Sequence, residues 1–151
     1  MTDSPEALFA ISAVARAAGL ARAVQRELSG GSLTKDDRSP VTVGDFAVQA
    51  VVARMLREKF PHDPLIGEEN ADALRRDENR NVRETVAEFV RRIFSDATPE
   101  GVCDWIDRGG GRAEGRYWAL DPIDGTKGFL RGDQYATALA LGLIPLTGAT
   151  M

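Results

Sequence analysis

Leu120-Asp121-Pro122-Ile123-Asp124-Gly125-Thr126 is the stretch on which the reading of this chain turns. Tyr117-Trp118-Ala119-Leu120, just before it, reads as an apolar strand that delivers Asp121 to its C-terminal end. Pro122 has no N–H to give the ladder, so it is expected to stop the strand and fix a turn. Asp121 and Asp124 then lie three residues apart across that turn, and both carboxylates can face one point. Two hard oxygen ligands on a rigid turn suit Mg²⁺, and the Ile123 carbonyl between them offers a third oxygen. Gly125 and Thr126 open the next turn or helix, whose free N–H groups can hold a phosphate. The same letters also describe a β-turn with capping aspartates, because Asp is common in turns.

Two more acidic groups lie upstream. Gly67-Glu68-Glu69-Asn70 follows Pro64-Leu65-Ile66, a short apolar run read as a buried strand, so two adjacent carboxylates sit at a strand end. Thr42-Val43-Gly44-Asp45 stands where a helix is expected to begin. Taken alone, Glu68 and Glu69 read as a solvated loop, and Asp45 as an acid complementing a helix dipole.

The rest of the chain supplies a scaffold. Residues 5–28 read as an amphipathic helix with Leu8, Ile11, Ala15, Ala18, Ala21, Val24 and Leu28 on the inner face. Ser4 is its N-cap, Pro5 its first residue and Gly30-Gly31 its stop. A polar connection with room for short β segments covers 29–43. A second helix covers about 44–60, with Phe46, Ala50, Ala53, Leu56 and Phe60 inward and Pro61 closing it. Residues 70–82 read as loop or irregular helix, and 83–95 as a third helix with Val86, Phe89, Val90, Ile93 and Phe94 inward. The glycine-rich stretch 107–115 is flexible by composition, and Tyr135 to Ile144 is a last strand.

Composition narrows the chemistry. The 151 residues, 43% hydrophobic and 28% charged, are enough for one globular domain with a core. A net charge of −4 without a basic stripe argues against nucleic-acid binding. An anionic small substrate remains compatible, provided metal ions bring positive charge locally. No run of 18 apolar residues is found, so no membrane span is expected, and the acidic N-terminus lacks a signal-type basic region. The single cysteine, Cys103, fits a reducing, cytoplasmic setting and makes cysteine catalysis improbable beside Asp104 and Asp107. His62 reads as a turn residue, and Trp105 and Trp118 as core. Gly109-Gly110-Gly111 lacks the Gly-Lys-Ser/Thr of a phosphate loop. Arg108, Arg112, Arg116 and Arg131 read as solvated charges or as a substrate mouth.

In order and context, Asp45, Glu68-Glu69 and Asp121 to Thr126 resemble the inositol monophosphatase superfamily. Thr34 to Asp45 and Trp118 to Gly132 resemble its 3'(2'),5'-bisphosphate nucleotidase branch, with Lys127-Gly128-Phe129 where simple inositol monophosphatases have Thr-Asn-Phe. The resemblance implies an α/β fold, a layered α-β-α(-β-α) sugar-phosphatase-type sandwich. Residues 1–151 would form only its N-terminal portion, with a mostly antiparallel sheet and the C-terminal half absent. It implies that Glu68, Asp121 and the Ile123 carbonyl hold one Mg²⁺, that Asp121 bridges to a second held by Asp124, and that Asp45 contacts a third. Asp45 with Thr126 would activate the attacking water, Gly125 and Thr126 would meet the substrate phosphate, and Glu69 would stand behind the ligands. The implied reaction is lithium-sensitive removal of the 3'-phosphate from adenosine 3',5'-bisphosphate, or from its sulfated analogue in sulfur metabolism. The implied partner is that small nucleotide, with no nucleic acid and no membrane. The alternatives are an inositol-polyphosphate 1-phosphatase and a truncated, non-catalytic member. A further aspartate from a Trp-Asp motif and the adenine pocket belong to the family's second half. The departure at Ile144-Pro145-Leu146-Thr147-Gly148 leads to the expectation of truncation.

Overall fold

Trp118 ties the first helix to the sheet. Its ring lies edge-on to Phe9 with centroids 5.2 Å apart and stacks on Phe60 at 5.8 Å. The computed structural model describes residues 4–28, 40–132 and 134–145. The Gly30-Gly31 stop and most of the 29–43 connection lie outside these residues. Eight elements follow in order: α1 (Pro5–Leu28), α2 (Pro40–Lys59), β1 (Leu65–Ile66), α3 (Arg80–Arg91), α4 (Pro99–Asp107), β2 (Gly115–Asp124), α5 (Thr126–Arg131) and β3 (Ala136–Ile144), with a 3-10 turn at Asp77–Asn79. The sheet order is β1-β2-β3, with β1 parallel to β2 and the longer β2/β3 ladder antiparallel. The expected α/β class and mostly antiparallel sheet are therefore found.

The Ser4 hydroxyl accepts from the Ala7 N–H at 3.1 Å, so α1 starts as expected. Its inner face is corrected. Phe9, Ala13, Ala17, Leu20, Ala21 and Val24 are buried, whereas Leu8 and Ile11 are more than half exposed and Ala15 and Ala18 face out. Both stripes satisfy the helical period. The alanine stripe wins because its small side chains let α1 lie close on α2, with Phe9 and Leu20 as its larger anchors. α1, at 24 residues, is also long and apolar enough by composition to cross a membrane, contrary to the sequence expectation. Its buried stripe against α2 and the sheet fits a core helix.

α2 begins at Pro40, four residues before the expected start, with the proline in the first turn where its missing N–H costs nothing. It is buried almost all round from Val43 to Ala53, because α1, α3, α4 and β2 each pack on it. The third helix runs from Arg80 to Arg91, and Ile93 and Phe94 follow its end, half-buried against the core. α4 was not anticipated. Thr98-Pro99-Glu100 was its signal: the Thr98 hydroxyl accepts from the Gly101 N–H at 3.0 Å and Pro99 opens the helix.

The glycine-rich stretch is not a plain loop. Gly110 bridges Ile66, and the Gly111 N–H donates to the Leu65 carbonyl at 2.9 Å, so the chain after α4 closes on β1. Along β2, Trp118 and Leu120 are buried under the helices, while Tyr117 and Ala119 alternate to the other side. Trp105 and Trp118 are core, as expected, and His62 lies in an exposed turn.

Candidate active site

Asp45 is the sixth residue of α2, not an acid in its first turn, so a helix-dipole role does not account for it. Its position follows from its neighbour. A Cβ on Gly44 would stand 2.6 Å from Ile123 Cδ1 and 3.4 Å from the Phe129 ring, so α2 touches both the Asp121-Asp124 segment and α5. Glycine leaves room there for the Ile123 and Phe129 side chains to lie against the helix. Pro122 does not end the strand as expected. β2 continues to Asp124, and the ladder is irregular between Asp121 and Asp124, with the Thr137 hydroxyl donating to the Pro122 carbonyl at 2.8 Å. The proline is absorbed in a bulge, a frequent place for a strand to re-aim its side chains.

Glu68 and Glu69 follow β1 after Gly67, and β1 pairs in parallel with β2 at Leu65/Trp118 and Ile66/Ala119. That pairing brings the ends of β1 and β2 to one place, the usual location of sites in sheets with parallel strands. A side chain missed in the sequence completes the placement. Gln49, one turn beyond Asp45 and fully buried, accepts from the Glu68 and Glu69 N–H groups at 3.1 and 3.0 Å. It also donates to the Glu69 and Ile106 carbonyls at 2.8 and 2.7 Å. Its signal was a lone amide inside the apolar run Phe46 to Ala53.

The electrostatics report convergence of the three acidic groups. Burial, then repulsion from Glu69, Glu68 and Asp121, pushes the Asp45 carboxyl up to about 7. Glu68 is raised by burial, then by Asp121 and Asp124. Asp121 is raised by burial, then by Asp124, with a hydrogen bond from Glu68 acting the other way. Glu69 is raised by burial and then by Glu68. Asp45 Oδ1 and Asp121 Oδ1 are buried without a hydrogen-bond partner. Crowded carboxylates with orphaned oxygens are an unstable arrangement that divalent cations neutralise, and a purely oxygen donor set suits a hard ion such as Mg²⁺. Among the described residues no three acids are yet gathered as a ready-made ligand set. A cation would have to draw them in.

Thr126 is exposed at the first position of α5, and no hydrogen bond joins it to Asp45 among the described residues. Gly125 precedes it in the left-handed region at φ 98°. A groove of about 400 Å³ opens beside the acids, lined by Glu68, Asp121 and the small residues Gly67, Ala119, Ala138 and Ala140. A larger one of about 590 Å³ between α1 and α2 holds none of the site acids. Cys103 is buried, and burial raises its thiol, which agrees with an inert cysteine. Arg116 is taken up by Glu6 and Asp63, so it does not form part of a substrate mouth.

Residues 4–143 match the sequence profile described as the inositol monophosphatase family. A Schizosaccharomyces pombe 3'(2'),5'-bisphosphate nucleotidase is 47% identical over 93% of this chain and 44% of its own length. An Emericella nidulans protein of the same name is 42% identical over the same shares. An Oryza sativa one is 44% identical over 85% of this chain and 40% of its own length. The chain thus spans less than half the length of the curated relatives it matches.

Proposed function

The chain belongs to the inositol monophosphatase family, and from that premise we propose that it carries the carboxylate half of a Mg²⁺-dependent phosphomonoesterase site acting on 3'-phosphorylated nucleotides. The expected reaction releases phosphate from adenosine 3',5'-bisphosphate, leaving AMP, or from 3'-phosphoadenosine 5'-phosphosulfate. The observation that carries the reading is the repulsion of Asp45 by Glu69, Glu68 and Asp121 and of Glu68 by Asp121 and Asp124, with unpartnered buried oxygens on Asp45 and Asp121.

Glu68, Asp121, Asp124 and the Ile123 carbonyl would hold two cations, and Asp45 would face a third. Bound there, divalent cations neutralise the acids and the phosphate and lower the pKa of an attacking water. Asp45 would act as the base, taking that water's proton through the Thr126 hydroxyl, which would have to turn toward it. Gly125 and Thr126 would border the phosphate, and Glu69 supports the ligands from behind. Li⁺ would inhibit by taking a Mg²⁺ position. A cytoplasmic setting accords with the lone, buried Cys103.

The deciding assay measures phosphate release from adenosine 3',5'-bisphosphate against an inositol polyphosphate, with Mg²⁺, with and without Li⁺. Mg²⁺-dependent, Li⁺-suppressed release from the nucleotide supports the reading. Preferential release from the inositol substrate would move it to the 1-phosphatase alternative. A folded chain that binds neither Mg²⁺ nor Mn²⁺ would remove its basis.

A further inference from the structure

We propose that Gln49 is the positioning residue of the acidic loop: one buried carboxamide fixes Glu68 and Glu69 against the helix that carries Asp45. Its metal-binding consequence rests on the functional reading above. Gln49 is the only polar or charged side chain buried among the described residues, with no exposed surface. A buried amide is tolerated when its donors and acceptor lone pairs are satisfied, and all four are. Oε1 takes the two successive N–H groups of Glu68 and Glu69, and Nε2 gives its protons to the Glu69 and Ile106 carbonyls. Two backbone donors on one side and two carbonyls on the other fix which way the amide points. Glutamate could not reproduce this, having no protons for the carbonyls, and leucine could make none of the four bonds.

The surrounding glycines are shaped to the same group. A Cβ on Gly67 or on Gly109 would overlap the Gln49 carboxamide. Gly67 and Gly109 are themselves joined, the Gly67 N–H donating to the Gly109 carbonyl at 2.8 Å. α2, the end of β1 and the end of α4 therefore meet on one side chain. Asp45 and Gln49 stand one helical turn apart on α2, so the carboxamide sets the distance between Asp45 and the acidic pair.

The test compares Gln49→Leu with Val86→Ala, a core truncation on α3, by Mn²⁺ binding in electron paramagnetic resonance and by amide hydrogen exchange. Gln49→Leu is expected to weaken Mn²⁺ binding 10- to 100-fold, the range for groups that orient ligands. It should also release the Glu68 and Glu69 amides to fast exchange while α1 stays protected. Val86→Ala, at a comparable loss of Tm, should change neither. If Gln49→Leu does not fold, Gly109→Ala displaces the same carboxamide without touching an acid and should shift both readouts in the same direction. Unchanged protection of the two amides, or equal Mn²⁺ weakening in Val86→Ala, would overturn the proposal. A wild-type chain that bound no Mn²⁺ would defeat the metal reading alone, and the exchange data would still decide whether Gln49 holds the loop.

Discussion

Gly44 and Ile123 lie so close that a methyl group on the glycine would sit 2.6 Å from the isoleucine Cδ1. Helix α2 and the bulged end of β2 are therefore fitted to each other beside Asp45.

That fit predicts a coupled pair of substitutions. Gly44→Ala should gain up to about 1 kcal/mol of helix propensity, yet the buried Ile123 resists the new methyl, and overpacking costs about 1–3 kcal/mol. The single substitution is expected to destabilise. Ile123→Val removes the opposing Cδ1, so the double variant should be more stable than the two single effects sum to. Urea unfolding of the metal-free chain measures the cycle, and strict additivity would contradict the contact.

The Asp45 carboxyl gives a pH prediction with a definite sign. Its folded pKa is raised from 3.8 to about 7, so the folded chain binds this proton more tightly than the unfolded one. The metal-free protein should lose stability as pH rises from about 4 to about 7, with no further change from this group above that. Asp45→Asn should remove the loss: its Tm would exceed wild type at pH 8 in EDTA and converge with it near pH 4. Saturating Mg²⁺ should reverse the order at pH 8, because the cation stabilises the charged carboxylate. Melting curves with and without Mg²⁺ check both halves.

Much of this arrangement could be read from the letters, and the failures have physical causes. Ser4-Pro5 marked the start of α1 because capping is local chemistry, and the strands around Trp118 and Leu139 were legible from their apolar runs. The inner face of α1 was misplaced because alanines at Ala13 and Ala17 carry little hydrophobic weight, though close helix packing selects them. Pro122 was read by its local rule, and the ladder absorbed it in a bulge instead. Five acids, Asp45, Glu68, Glu69, Asp121 and Asp124, stood out by their place in the chain. Gln49, which holds Glu68 and Glu69 against the helix that carries Asp45, follows no local rule, because its four bonds go to two segments distant from it in the chain, Glu68-Glu69 and Ile106.

Trp118 should report on the joint between α1 and the sheet. Truncation to Ala removes ring contacts with Phe9 and Phe60 and is expected to cost about 3–5 kcal/mol. Trp118→Phe keeps most of the packing but loses the indole N–H bond to Asp63, 3.0 Å long. Asp63 retains Arg116 at 2.9 Å, so that loss should be nearer 1 kcal/mol. Equal losses in the two variants by urea titration would show that packing against the rings is not what holds the joint.

The open end of β3 gives the last prediction. Leu143 is 71% exposed, and Leu141 and Ile144 are each 43% exposed. Leu141 and Leu143 pair with Trp118 and Arg116 on the face that carries the helices, yet they lie beyond the helices' cover. On its other side β3 has no strand partner among the described residues. An uncovered edge beside exposed leucines is a template for pairing between chains. Leu143→Lys places a charge there without disturbing the core. Its Tm should stay close to wild type while concentration-dependent association, followed by light scattering, falls severalfold. Unchanged association would mean that the chains meet through another surface, and the exposed stripe between Leu8 and Ile11 would be the next to substitute.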